Sequence, residues 1–149
     1  MKSPVESEIL QELCQLQNLA VLATESGSWP YASLVAVAFT SDLRGLYFVT
    51  PRTTRKWANL SENSHIALLL DNRSNQVADF SRAAAATVIG VAQALTGTER
   101  ERGLEVFLSR HPHLADFSAA PTCTLFRVDV ERIYLVTRFQ NVTEFHFPS

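Results

Sequence analysis

The sequence predicts a mostly-β fold with short helices, in which six antiparallel strands close into a barrel. Three observations carry this reading. Short apolar runs rich in β-branched residues recur from Leu19 onward. Turn signals separate the first of them by only a few residues, which implies antiparallel hairpins. Helical patterns are too few to supply a crossover between every pair of strands, so a parallel α/β sheet is excluded. Closure into a barrel then removes exposed sheet edges.

Taken in order, Ser3, Pro4 and Glu6 read as a helix start: a cap, a proline at the first position and a capping-box acid. Ile9, Leu10, Leu13 and Leu16 follow at helical spacing, so an amphipathic helix is expected from Pro4 to Gln17. The period then changes. Leu19–Thr24 reads as a strand, Gly27 as a turn and Tyr31–Thr40 as a longer strand. A hairpin turn over Ser41–Gly45 leads into the strand LYFVT, completing a three-stranded meander. Thr53 or Thr54 caps a short helix to Leu60, with Trp57 and Leu60 as its apolar contacts. His65–Leu70 is a fourth strand, and residues 71–82 form a polar loop. Ala84–Leu95 is a long strand in which Gly90 marks a bulge or a close backbone approach. Thr98 and Glu101 form a second capping box for a helix to Arg110. It points Leu104, Phe107 and Leu108 inward and ends at His111-Pro112. Thr122–Leu135 is a final long strand or a bent pair.

The chain has 149 residues, the size of one domain with one core, and residues 1–149 are read as that single domain. At 46% hydrophobic it is not a disordered chain. A net charge of −2 with mixed signs gives no electrostatic reason for a nucleic-acid or anionic-membrane partner. No apolar run approaches the roughly 20 residues a spanning helix needs. The N-terminus lacks an apolar segment and carries two glutamates, which speaks against a signal peptide. Cys14 and Cys123 have no metal-ligand spacing and read as buried or half-buried thiols in a reducing cytoplasm.

One segment carries chemistry. PRTTRKWANL follows a strand and opens a helix, where unpaired N–H groups and partial positive charge favour acids. Arg52, Arg55 and Lys56 stand there instead, with Thr53 and Thr54 among them. An anion such as phosphate would unite the cations, the hydroxyls and the dipole. The competing reading is a solvated basic helix end. Elsewhere there is no phosphate-binding glycine loop, GxSxG, HExxH or CxxC. The HPH of residues 111–113 reads as a helix-terminal pair rather than a metal site, and no metal is expected.

The order of these elements resembles the FMN-binding split β-barrels related to pyridoxamine 5′-phosphate oxidase. The resemblance runs from LAVLAT through PYASLVAVAF, LYFVTPRTTRKWANL and HIALLL to ATVIGVAQAL. LFRVDVERIYLV resembles the last barrel strand more loosely. Its most specific part is a strand ending in Thr, a turn, and Ser/Thr-Arg-Lys before a helix. The resemblance implies a homodimer with FMN at the interface. Ser33, Leu34 and Val35 would line the flavin ring with main-chain groups, as would Val49 and Thr50. Thr54, Arg55 and Lys56 would hold the phosphate.

The departures are also specific. The oxidase carries Arg and Lys where this chain has Ser33 and Ala38. It ends in Arg-Leu-x-Pro, where this chain ends EFHFPS. Oxidation of vitamin B6 is therefore not implied. Asp79 and Arg82 are candidates to face a substrate, against the reading of a solvated loop. No catalytic residue announces itself. Three functions remain: an FMN-dependent oxidoreductase on a small molecule, a haem-binding or haem-degrading barrel, and a non-enzymatic flavin-binding or stress-related protein. For the second, His146 among Phe139, Phe145 and Phe147 is the feature that points to haem.

Overall fold

The computed structural model describes residues 4–138 and 140–148, so the Ser3 cap and Phe139 lie outside the described residues. The first helix, α1 (Pro4–Leu16), buries Leu10, Leu13 and Cys14. Leu16 departs from the expected stripe and stands 64% exposed. Burial pushes the Cys14 thiol up to about 12, with Arg110 pulling weakly the other way.

Strands β1 (Leu19–Ser26) and β2 (Trp29–Ala36) form a hairpin. Its two-residue turn, Gly27 and Ser28, has φ of 53° and 68°. Successive positive φ values give the turn whose twist matches the flanking strands, and glycine occupies the first at no steric cost. The chain then bends at Val37, whose N–H donates to the Asn18 carbonyl at 3.0 Å. Beyond the bend, β3 (Ala38–Phe39) pairs with β4 (Gly45–Pro51) across the expected Ser41–Gly45 turn.

Helix α2 (Arg55–Glu62) leads to β5 (His65–Asp71). A loop with the four-residue helix α3 (Asp79–Arg82) leads to β6 (Ala84–Ala94). Helix α4 (Gly97–Arg110), a 3₁₀ turn at Pro112–Leu114 and α5 (Ala115–Ala119) come next. Then β7 (Cys123–Thr137) and β8 (Asn141–His146) close the chain.

The antiparallel sheet runs β2-β1-β5-β6-β7-β4-β3, with β8 added beside β7. Among the described residues the strands number eight, where six were expected. The bend at Val37 splits one expected strand, and the tail supplies a strand that the sequence pattern missed. The expected meander fails for a related reason. β2 and β3 are contiguous in the chain yet lie at opposite ends of the sheet order, so the bend curls the sheet into a split barrel. Gly90 marks the expected bulge: the β6–β7 register shifts there, and a Cβ would sit 2.4 Å from the Asp129 carbonyl oxygen.

The barrel interior is apolar, with Leu22, Phe48, Leu68, Val88, Ile133 and Leu135 almost wholly buried. Phe48 and Phe126 stack at 5.2 Å between centroids. A second cluster on the other face of β4 and β7 packs Tyr47, Val49 and Leu125 against Phe107 of α4. The start of α4 corrects the sequence reading. Its N-cap is Thr96, not Thr98. The Thr-x-x-Glu pattern occurs twice, offset by two residues, at Thr96–Glu99 and Thr98–Glu101. Leu95 is buried, and its N–H donates to the Leu125 carbonyl at 2.9 Å. The chain must therefore turn immediately, and Gly97 does so with φ of 60°.

Candidate functional site

The site is built where β4 ends. Thr50 is wholly buried, and its hydroxyl lies 2.8 Å from that of Thr54. Thr54 is the N-cap of α2: its Oγ1 accepts from the Trp57 N–H at 3.2 Å. The same hydroxyl is 3.0 Å from the Pro51 carbonyl, to which it can donate. The single hydroxyl proton of Thr54 is thus taken up within the turn, and its side chain acts as a cap.

The rest of the turn is open. Thr53 and Arg55 are exposed and Lys56 is half-buried. The first turn of α2 holds no acid. Neither Arg55 nor Lys56 has an ion-pair partner among the described residues. The first N–H groups of the helix lack carbonyls within it, as at every helix start. Arg52 leaves this group. Its guanidinium donates to the Pro121 carbonyl, and its N–H donates to the Thr122 carbonyl at 2.9 Å.

Two buried residues that the sequence reading did not single out hold α2 in place. Asn59 donates from Nδ2 to the Thr24 hydroxyl at 3.0 Å, and both residues are at most 3% exposed. Ser26 donates to Glu62 at 2.8 Å. An asparagine in mid-helix is the available signal, since it is a poor helix former that needs a partner when buried.

These bonds bring α2 to the end of β1 that pairs with Tyr31. Ser33 pairs with Leu22, two residues along, or about 7 Å at 3.3–3.4 Å per residue. Among the described residues β2 is paired only by β1, and β3 pairs with β4 only at Leu46 and Tyr47. β2 comes back against β4. β2 and β4 thus each leave an unpaired edge along a seam, with Ser33–Val35 on the β2 strand and Val49 and Thr50 on the β4 strand. The Ser33 hydroxyl, on the same face of β2 as Val35, is buried without a hydrogen-bond partner. The side chains divide. Val35 points into the core, Leu34 is 65% exposed, and Val49 packs toward α4. Only main-chain groups of Val49 remain for a ligand in the seam.

Other candidates fall elsewhere. The Asp79 carboxylate accepts from the N–H groups of Ser74 and Asn75 and from the Ser74 hydroxyl, at 2.7–2.9 Å. These bonds, the Ser74 hydroxyl first, hold its carboxyl below the usual range. It organises its own loop, at the opposite end of β5 from α2. Arg82 is exposed at that same end. His111 is buried, and its Nε2 lies 2.8 Å from the Val37 carbonyl, so that nitrogen carries the proton and braces the bend. His146 pairs with Glu144 at 3.0 Å on the surface of β8. No cluster of three metal-ligating side chains occurs among the described residues. No helix among them is long and apolar enough to cross a membrane.

A curled antiparallel sheet with an open seam, and an acid-free cationic helix start beside it, place the chain in the split-barrel class. Residues 7–137 match the family model for pyridoxamine 5′-phosphate oxidase, and the chain belongs to that family. No curated protein matches it at a significant level. Solved structures share the fold at low identity. A haem-binding protein from Mycobacterium smegmatis superposes with a TM-score of 0.85 at 16% identity, covering 98% of this chain and 60% of that one. This chain thus spans about three-fifths of that protein. An FAD-binding protein from Mesorhizobium loti gives 0.69 at 14%, covering 90% and 94% of the two chains. General Stress Protein 26 from Bacillus anthracis gives 0.68 at 18%, covering 97% and 100%.

Proposed function

We propose that this chain is an FMN-binding flavoprotein that works as a homodimer in redox chemistry on a small molecule. One observation carries the reading. The start of α2 gathers Arg55, Lys56, the Thr53 hydroxyl and free helix N–H groups, and no acid of the first turn answers their charge. A phosphate answers it. The seam would suit a flat polar ring: it offers free strand edges, and β2 also carries the Ser33 hydroxyl, a buried group without a partner. Thr50 and Thr54 support the turn from below, and Ser33–Val35, Val49 and Thr50 line the seam. When bound, the flavin supplies the redox chemistry, and the protein binds and orients it.

The homodimer rests on the outer face of the sheet. Leu34, Val21 and Leu69 form one cross-strand row, and Leu34 and Leu69 are exposed. The next row is Ala32, Ala23, Ala67 and Ile89. A continuous apolar face of this kind is a protein-contact surface. Sedimentation should give a dimer, reduced to monomer by Leu34→Lys. A monomeric wild type at micromolar concentration contradicts the dimer.

The deciding experiment is the near-ultraviolet and blue absorption of freshly purified protein, followed by titration with FMN and riboflavin. FMN should bind more tightly, because riboflavin lacks the phosphate. Equal affinities would remove the phosphate turn from the site. Oxidation of vitamin B6 is no part of the proposal, given Ser33, Ala38 and the EFHFPS tail.

A second reading is haem binding, favoured by the likeness to the haem-binding protein of M. smegmatis. His146 is its candidate ligand, although its Nε2 is already paired with Glu144. Added haemin should give a Soret band that His146→Ala abolishes. An unchanged band in that variant rejects His146 as the ligand. A protein that takes up neither group would be a non-enzymatic, stress-related barrel.

A further inference from the structure

At the end of the barrel away from α2 lies a half-open cavity of about 350 Å³. That volume is at the lower end of the range for small-molecule sites, roughly 300–1,000 Å³. One wall is apolar and comes from α1: Ile9, Leu13 and Leu16. The 64% exposure of Leu16, where the stripe should have been buried, is accounted for by its place on this wall. The opposite wall carries Arg82 and Arg138. Ala84 pairs with Thr137, so the residue two before the one and the residue just after the other emerge at the same end of β6 and β7.

Neither guanidinium has an ion-pair or hydrogen-bond partner among the described residues. Arg138 also has a φ of 53°, a left-handed conformation that glycine or asparagine takes at lower cost. The acid in the lining is Glu12. Two arginines less one glutamate leave a net charge of +1.

We propose that this cavity binds a monocarboxylate with a short apolar chain. The chain would lie along Ile9, Leu13 and Leu16, and the carboxylate would bridge Arg82 and Arg138. One negative charge neutralises the lining, whereas a dianion such as a phosphate monoester leaves a residual charge against Glu12. This inference is independent of the flavin reading, since the cavity shares no residue with the phosphate turn or the seam.

Calorimetric titration of the full chain with octanoate, 1-octanol and octyl phosphate tests it. Octanoate should bind, and both analogues should bind at least about tenfold more weakly, the scale of a lost or mismatched charge-assisted contact. Arg82→Gln and Arg138→Asn should each weaken octanoate by a similar factor. Asparagine keeps the left-handed turn accessible, and both sites are exposed, so the fold should survive. Leu16→Asp should weaken octanoate without changing FMN affinity. Absence of octanoate binding at millimolar concentration overturns the proposal. So does 1-octanol binding as well as octanoate, which would leave only a greasy groove. If both arginine variants lower the melting temperature yet leave octanoate binding unchanged, the arginines serve the C-terminal end of α1 and the proposal fails.

Discussion

At the start of α2, the side chain of Thr54 caps the helix, and the turn that follows holds Arg55 and Lys56 with no acid. At the start of α4, Thr96 makes no side-chain cap bond, and Glu99 stands in the first turn. Both helices present the same electrostatic problem, a cluster of unpaired N–H groups with partial positive charge. In α4 the chain answers it with its own carboxylate. In α2 the chain spends its hydroxyl on geometry and adds cations, so the charge is left for something outside the chain to answer. If the proposed phosphate turn is right, an anion site is marked less by positive residues than by a missing acid at a well-anchored helix start. Arg100 and Arg102 stand four and six residues past the cap of α4, further in than Arg55 and Lys56, which directly follow the cap of α2. In α4, Glu99 and Glu101 accompany the arginines.

The largest expected effect falls on the ligand. Arg55→Ala and Lys56→Ala should each weaken FMN by about tenfold or more, removing a charge-assisted contact of roughly 1.5–3 kcal/mol. Riboflavin affinity should hardly change. Flavin fluorescence quenching reads both. If FMN keeps its wild-type affinity in both variants, or if riboflavin loses as much, the contrast between the two helix starts has no functional meaning.

The caps come next. Thr54→Ala should cost about 1 kcal/mol of stability, because its oxygen accepts from the Trp57 N–H. Thr96→Ala should cost at most a few tenths, since no side-chain bond is lost. Thr98→Ala, inside the helix rather than at its cap, should stay within about 0.5 kcal/mol. Urea unfolding of the three variants ranks them, and equal losses at Thr54 and Thr96 would break the comparison.

A smaller effect should come from making α4 resemble α2. Glu99→Lys should destabilise by roughly 0.3–1 kcal/mol through the helix dipole, and the loss should shrink in high salt. It should create no FMN site there, because the seam is elsewhere. FMN binding gained at α4 would show that charge alone makes the site.

The start of α3 gives the mildest test. Asp79 answers the Ser74 and Asn75 N–H groups with a carboxyl held below its ordinary value near 3.8. Its folded pKa is depressed, so its contribution to loop order is present above that ordinary value. It is lost as pH falls through the lower folded value. Amide exchange of Ser74 and Asn75 should accelerate in that acid range, and in Asp79→Asn at neutral pH. A flat exchange profile across the range would remove Asp79 as the loop's anchor.

Much of this molecule was legible from local pattern. The α1 stripe, the Gly27 turn, the Ser41–Gly45 hairpin, the Gly90 bulge and the α2 cap each depend on a few neighbouring residues. Propensity and sterics decide those within a short window. The Thr98 reading failed because two capping patterns overlap by two residues. The choice between them was made by Leu95, which is anchored to Leu125 thirty residues away in the chain.

By itself, then, the sequence determined the antiparallel class, most element positions and the wrong-sign charge at Arg55 and Lys56. Tertiary structure decided what those charges stand beside. The bend at Val37, braced by the Val37–Asn18 bond and by His111, sends β3 to the far edge of the sheet and opens the seam by Ser33. It also decided that Arg52 turns to Pro121, that Thr24 and Asn59 anchor α2, and that Arg82 and Arg138 line one cavity. Each of these joins residues far apart in the chain. Pairings of that kind depend on which faces can be buried together once the sheet has curled, and no local window contains that information.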